Sequence, residues 1–108
     1  MNSSRLSAAG IPSSFKMLGQ TITVEMCDEI HHKNWQGLFE PGLQRIRLSS
    51  DPEISDELLR HTFYHELVHC LFYFVGEGDL YQNEQIVDLM GGLLAQFEQT
   101  KRIPQTFS

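Results

Sequence analysis

From residue 55 to residue 75 the chain runs without a glycine or a proline. That stretch predicts one long helix, and a chain of 108 residues must build most of its core against it. Two starts are open. Ser50 with Glu53 fits a capping box, and Ser55 followed by Asp56 and Glu57 is another plausible first turn. Gly76 is a natural stop. Inside the stretch lies His65-Glu66-Leu67-Val68-His69. Histidines four apart share one helical face, one turn apart, so both rings can meet one ion at about 2.0–2.1 Å per Zn–N bond. Glu66 then lies beside such an ion rather than on it. There it can accept a proton from a metal-activated water and return it to a leaving amine.

With five histidines and nine glutamates, a shuffled chain of this composition contains this pattern in about 2 of 100 cases. Placement therefore matters more than the pattern. Leu67, Val68, Leu71, Phe72 and Phe74 surround the motif with apolar side chains, which predicts a buried helix. Buried histidines need partners, and a metal is a good one. A hydrolytic zinc site has three protein ligands and an open position, so a third ligand must come from elsewhere. A second helix is predicted from about Tyr81 or Gln82 to about Lys101, ended by Pro104. It carries Asn83-Glu84-Gln85-Ile86-Val87-Asp88. The carboxylates on and just before it, Glu77, Asp79, Glu84 and Asp88, are the candidates for that third ligand. Glu77 and Asp79 belong to a glycine-rich turn, where charge is usually solvated.

A helix with H-E-x-x-H, followed by a helix with N-E-x-x-x-D, resembles the gluzincin active site of thermolysin-like metallopeptidases. The likeness covers residues 60–95. It implies that Glu84 ligates zinc with His65 and His69, and that Asp88 orients His69 through its free ring nitrogen. Fourteen residues separate His69 from Glu84, tighter than in the thermolysin-like enzymes, whose large flanking domains and downstream oxyanion-stabilising histidine have no counterpart here. Size and layout are more similar to minimal zincin-like metallopeptidases often encoded by phages and prophages. Gly91-Gly92, costly inside a helix, would let the second helix approach the first closely enough for Glu84 to reach the metal. Simple tolerance is the alternative.

The rest of the chain predicts an α+β fold, with a small antiparallel or mixed sheet of about three strands packed on two main helices. Residues 20–27 alternate, with Ile22, Val24 and Met26 on one side. Residues 43–49 alternate around Ile46 and Leu48, after a Pro41-Gly42 turn signal that separates them from Gly37-Leu38-Phe39. This strand could lie at the sheet edge beside the motif helix and pair with an extended peptide, or Arg45 and Arg47 could be edge charges that discourage aggregation. Val87, Met90, Leu94 and Phe97 recur at helical spacing and read as core. Residues 1–14, rich in Ser and Ala, read as a flexible tail, leaving residues 15–108 as a single zincin-like domain.

Net charge is −6, with no basic stripe, so neither nucleic acid nor an anionic membrane surface is an expected partner. The longest apolar run, residues 70–75, is too short to span a bilayer, and no signal-peptide core is present, so a cytoplasmic location is expected. Cys27 and Cys70 form no scaffold and read as ordinary thiols. His61, one turn before His65, could line the cleft or face solvent. His31 and His32 fall in an expected loop, either as substrate-facing donors or as surface residues. Tyr64, Tyr73 and Tyr81 could each stabilise an oxyanion or pack. The expected activity is zinc-dependent hydrolysis of a peptide or protein substrate, with Glu66 as general base. The alternative is a zincin-like binding or regulatory module with little or no catalysis, and a purely structural zinc site is a third option.

Overall fold

The structure, a computed structural model, describes residues 2–104. The alternation at residues 20–27 makes a strand, β2 (Gln20–Cys27), with Ile22 and Val24 buried and Thr21 and Thr23 exposed. β2 pairs antiparallel with β1 (Ser14–Met17) and parallel with β4 (Arg45–Ser49). The other side of β4 pairs antiparallel with β3 (Gly37–Glu40). The result is an α+β fold whose four-stranded mixed sheet has the order β1-β2-β4-β3. Leu18 and Gly19 form the two-residue β1–β2 turn, both at positive φ, and such a turn matches the twist of a hairpin. A short helix, α2 (Asp28–His32), follows β2 and carries His31 and His32. A single 3₁₀ turn, Pro41–Leu43, joins β3 to β4.

The long helix forms as its sequence dictates. α3 (Asp56–Val75) starts at Ser55, whose hydroxyl accepts from the Leu58 backbone N–H at 3.1 Å. The Ser50 start is not used; the Ser50 hydroxyl bonds Asp28 instead. At the other end Gly76 takes φ +77°, and the Glu77 N–H closes back to the Phe72 carbonyl at 3.0 Å. A single turn, α4 (Gly78–Tyr81), then leads to α5 (Glu84–Thr100). α5 begins later than Tyr81 because the Asn83 side chain caps it, accepting from the Ile86 N–H at 3.1 Å.

Residues 1–14, expected as a loose tail, do not behave as one in the described residues. Asn2–Ala8 form helix α1, and Leu6, Ala9 and Ile11 are buried in the core with Ile22, Val24, Phe39, Ile46, Leu48, Leu59 and Phe63. Arg5 anchors this segment to the Asp56 carboxylate and the Ile54 carbonyl. The Ser/Ala composition hid three apolar residues at the spacing of one helix face and its exit. A buried aliphatic side chain contributes roughly 1.5–3 kcal/mol, so the segment is a structural part of the domain.

β4 is also not an edge strand. It lies between β2 and β3, and its arginines make ion pairs with neighbouring elements. Arg45 reaches Glu40 on β3 at 2.6 Å, and Arg47 reaches Glu29 on α2 at 3.0 Å. The edge next to α3 is β3. On α5, Val87 is buried as expected, but Met90 and Phe97 are exposed, because the face turned to α3 is the narrow row Val87, Gly91 and Ala95. No helix among the described residues is long and apolar enough to cross a membrane.

If α1 is part of the core, Leu6→Ala lowers unfolding free energy by about 2–4 kcal/mol in urea titration. A change below about 0.5 kcal/mol would show that the segment adds nothing to stability.

Candidate metal centre

The two long helices touch where the motif lies. A Cβ placed on Gly91 would sit 2.8 Å from the His65 backbone nitrogen and 2.9 Å from its Cα. Any side chain there would push α5 away from α3, so the absence of one is what lets the first turn of α5 overhang the histidines. A Cβ placed on Gly92 would meet the His61 ring, 3.2 Å from its Cε1. Gly37, at the start of β3, plays the same part on the opposite wall: a Cβ there would meet Thr62 Cγ2 at 2.8 Å and Glu66 Cγ at 3.2 Å. Three glycines thus set the distances of a strand and a helix from the motif face of α3.

Glu84 is brought to both motif histidines. Its Oε1 lies 3.1 Å from His65 Nε2, and its Oε2 lies 2.9 Å from His69 Nε2. Among the described residues, these three supply a group of ligand-type atoms within 4.8 Å of one another. Tetrahedral zinc with bonds near 2.1 Å separates its ligands by about 3.4 Å, and the two Glu84–imidazole separations fall a few tenths of an ångström short of that. Two imidazole nitrogens and a carboxylate are also the donor set of hydrolytic zinc sites. Glu77 and Asp79 lie outside this group.

Asp88 meets a different histidine from the one expected. Its Oδ1 lies 3.1 Å from His65 Nδ1 and 3.2 Å from His61 Nε2. One turn of α5 beyond Glu84 falls opposite the N-terminal side of the motif, where His65 and His61 stand, and not opposite His69. Hydrogen bonds from His61 and then His65 hold the Asp88 carboxyl below its ordinary range. His69 Nδ1 is buried without a well-formed hydrogen bond. Burial lowers the His69 pKa against the opposing pull of Glu84, which favours the neutral ring that binds metals.

Glu66 is 8% exposed and stands against β3, where the Phe39 backbone N–H stabilises its carboxylate. Burial dominates and pushes its carboxyl up to about 7; Glu84 adds to the rise and His65 opposes it. Two openings meet at Glu66 and Glu84. One, of about 360 Å³, is lined by Trp35, Gly37, His61, Thr62 and Asp88 among others. The other, of about 330 Å³, is lined by Leu38, Phe39, His69, Tyr81 and Gln82. A larger hollow of about 560 Å³ lies elsewhere, between the start of α3 and the end of α5, and contains none of the three ligand-type residues.

Of the three tyrosines, only Tyr81 lines a cavity with Glu66 and Glu84, its ring 5.0 Å from that of His69. Tyr64 faces α1 and Glu98, and Tyr73 packs edge-on against Phe39. His31 and His32 stand on α2, where His31 faces Asp51 at 3.8 Å. Trp35 and Gly37 were missed as site residues: both precede or open β3, and nothing local in the sequence ties them to the motif. His61 was readable as a neighbour of His65, but not as a partner of Asp88. Comparison of the chain with known protein families, curated proteins and solved structures finds no match.

Gly91→Ala should destabilise the fold by roughly 1–3 kcal/mol despite alanine's better helix propensity, because the added methyl strikes backbone. Thermal unfolding that shows a gain instead would place α5 farther from α3. Glu66 gives a pH-dependent test. The unfolded carboxyl ionises near its ordinary value of 4.5 and the folded one near 7, so folding stability falls as pH rises between them. In the metal-free protein, Glu66→Gln should therefore gain on wild type from pH 5 to pH 8, by on the order of 2–3 kcal/mol. A difference that stays constant with pH excludes a raised Glu66.

Proposed function

We propose that this chain is a zinc-dependent peptidase with a compact gluzincin-like site, in which His65, His69 and Glu84 hold the metal and Glu66 is the general base. The observation that carries this reading is the meeting of the Glu84 carboxylate with both motif Nε2 atoms, across two helices, beside a buried Glu66. A structural zinc site would call for four protein ligands, and the described residues gather three.

A zinc ion bound there would supply Lewis acidity, polarising a scissile carbonyl and making water in the cleft more acidic. The protein groups do the rest. Glu66, with a carboxyl near 7, takes the proton of the attacking water at its carboxylate and passes it to the departing amine. Asp88 fixes the His65 ring through Nδ1, and His61 braces Asp88 from the other side. The Tyr81 hydroxyl is the donor for the oxyanion, since it shares the cavity of Glu66 and Glu84. β3 lies at the free edge of the sheet, between the two openings, and offers backbone groups to an extended peptide.

The test is a peptide-library cleavage assay with zinc and with chelator, run on wild type and on Glu66→Gln. Wild type should cleave only with zinc. The variant should bind zinc as well as wild type yet lose at least about 100-fold in kcat/KM. Full activity in a zinc-loaded Glu66→Gln protein would defeat the mechanism.

A further inference from the structure

Three hollows follow one another along α3. The cavity of about 560 Å³ between the start of α3 and the end of α5 meets the opening of about 360 Å³ at the metal centre, and the His61 ring lines both. That opening in turn shares Glu66 and Glu84 with the one that Tyr81 lines. The chemistry assigned to Glu66 makes no use of the first hollow, which is the roomiest of the three.

Its lining is divided in character. Leu58, Gly92 and Ala95 supply apolar surface, and a Cβ on Gly92 would take up the space beside the His61 ring. The one carboxylate in the lining is Glu57, and no lysine or arginine lines the cavity. Basic groups nearby are engaged elsewhere: Arg5 binds Asp56, Arg60 donates to the Ala9 carbonyl at 3.3 Å, and Lys101 reaches Glu98 at 3.0 Å. Glu57 has no cationic partner among the described residues. Its place in the first turn of α3 suits the helix dipole, which accounts for an acid there but not for the hollow beside it.

An apolar channel with a carboxylate at its end matches a lysine or arginine side chain. The methylene stem covers the apolar wall while the charged head stays near water and the acid. An acidic side chain would meet Glu57 as a like charge, and the net charge of −6 draws cationic peptides to the surface. Glu57 stands eight residues before His65, about 12 Å along the helix axis. An extended peptide advances about 3.3 Å per residue, so the same span takes roughly three or four residues, and a long side chain reaches one residue to either side. Resting on the peptidase reading, we propose that the hollow between α3 and α5 is a substrate subsite for a lysine or arginine side chain about two to five residues from the scissile bond, with Glu57 as its charge-selecting residue.

The probes are mixtures of eight-residue peptides, random at every position but one, which holds lysine, norleucine or glutamate. With zinc-loaded wild type, kcat/KM should be about 3- to 5-fold higher for lysine than for norleucine when that position lies within the window, the range of one surface charge pair. The advantage should shrink as salt rises from about 0.05 to 0.5 M. Glu57→Gln should erase it, and Glu57→Lys should pass it to glutamate. The norleucine comparison alters only the peptide, so a folding defect cannot produce it. Retardation of the same mixtures on immobilised, zinc-loaded Glu66→Gln protein, with and without Glu57→Gln, separates binding from turnover. Cleavage that ignores lysine, or a lysine preference that Glu57→Gln leaves intact, overturns the subsite and leaves the peptidase reading standing. Lysine-dependent binding that Glu57→Gln weakens, with no cleavage by wild type, supports the subsite and defeats the peptidase reading. Absence of both cleavage and lysine-dependent binding overturns the two together.

Discussion

Backbone proximity between α3 and α5 is the constraint on which the rest depends. Gly91 lies against the backbone of His65 with no room for a methyl group. That contact sets the height of the first turn of α5 above the motif, and so the reach of the Glu84 carboxylate. It also explains a cost that helix propensity alone makes puzzling: two adjacent glycines inside a helix, each destabilising by about 1 kcal/mol relative to alanine. The close fit of the two helices offsets that loss. The same narrow contact turns α5's larger apolar side chains outward, so their exposure and the overhanging carboxylate have a common origin.

Burial and charge are then divided between two helices. α3 sits between the sheet and α5, and its motif side chains are largely shielded: His69 is buried, and Glu66 is pressed against β3. α5 contributes Glu84 and Asp88 from its exposed first turns. The buried side supplies a neutral imidazole and a carboxyl with a raised pKa. The exposed side supplies anions that water can stabilise. A site made wholly of buried carboxylates would push them all towards neutrality, and one made wholly of exposed ones would leave Glu66 fully ionised in the neutral range.

Much of this was legible in the residues. The long helix with Gly76 as its stop, the second helix, and the strands at 20–27 and in the residue 43–49 run follow from periodicity, caps and spacing, whereas Glu84 was singled out by the resemblance of the two helix motifs to a known metal-site pattern. The parts that were not legible share a physical cause, which is that they depend on partners distant in sequence. β1 escaped notice because its turn, Leu18-Gly19, puts a leucine at positive φ where asparagine or aspartate is the usual signal. The parallel pairing of β2 with β4, which makes β3 the edge, is fixed by the whole sheet and by nothing within either strand. Asp88 took His65 rather than His69 because the vertical offset of two packed helices cannot be read from the spacing within one. The outward turn of Phe97 follows from how closely Gly91 and Ala95 approach α3, which periodicity does not encode.

The docking of α1 has a consequence for the order of events in folding. Arg5 binds Asp56 and Ile54 across about fifty residues, and Leu6 enters a core made of β2, β4 and α3. α1 is only seven residues long, too short to persist as a helix in water by itself. It leaves the ribosome well before the surface that will hold it exists. Its folding must therefore wait on the assembly of everything downstream as far as α3, and its contacts raise the contact order of an otherwise local topology. Substitutions at Leu6 or Ile11 should then speed unfolding and leave the folding rate nearly unchanged, the kinetic mark of a segment that locks late.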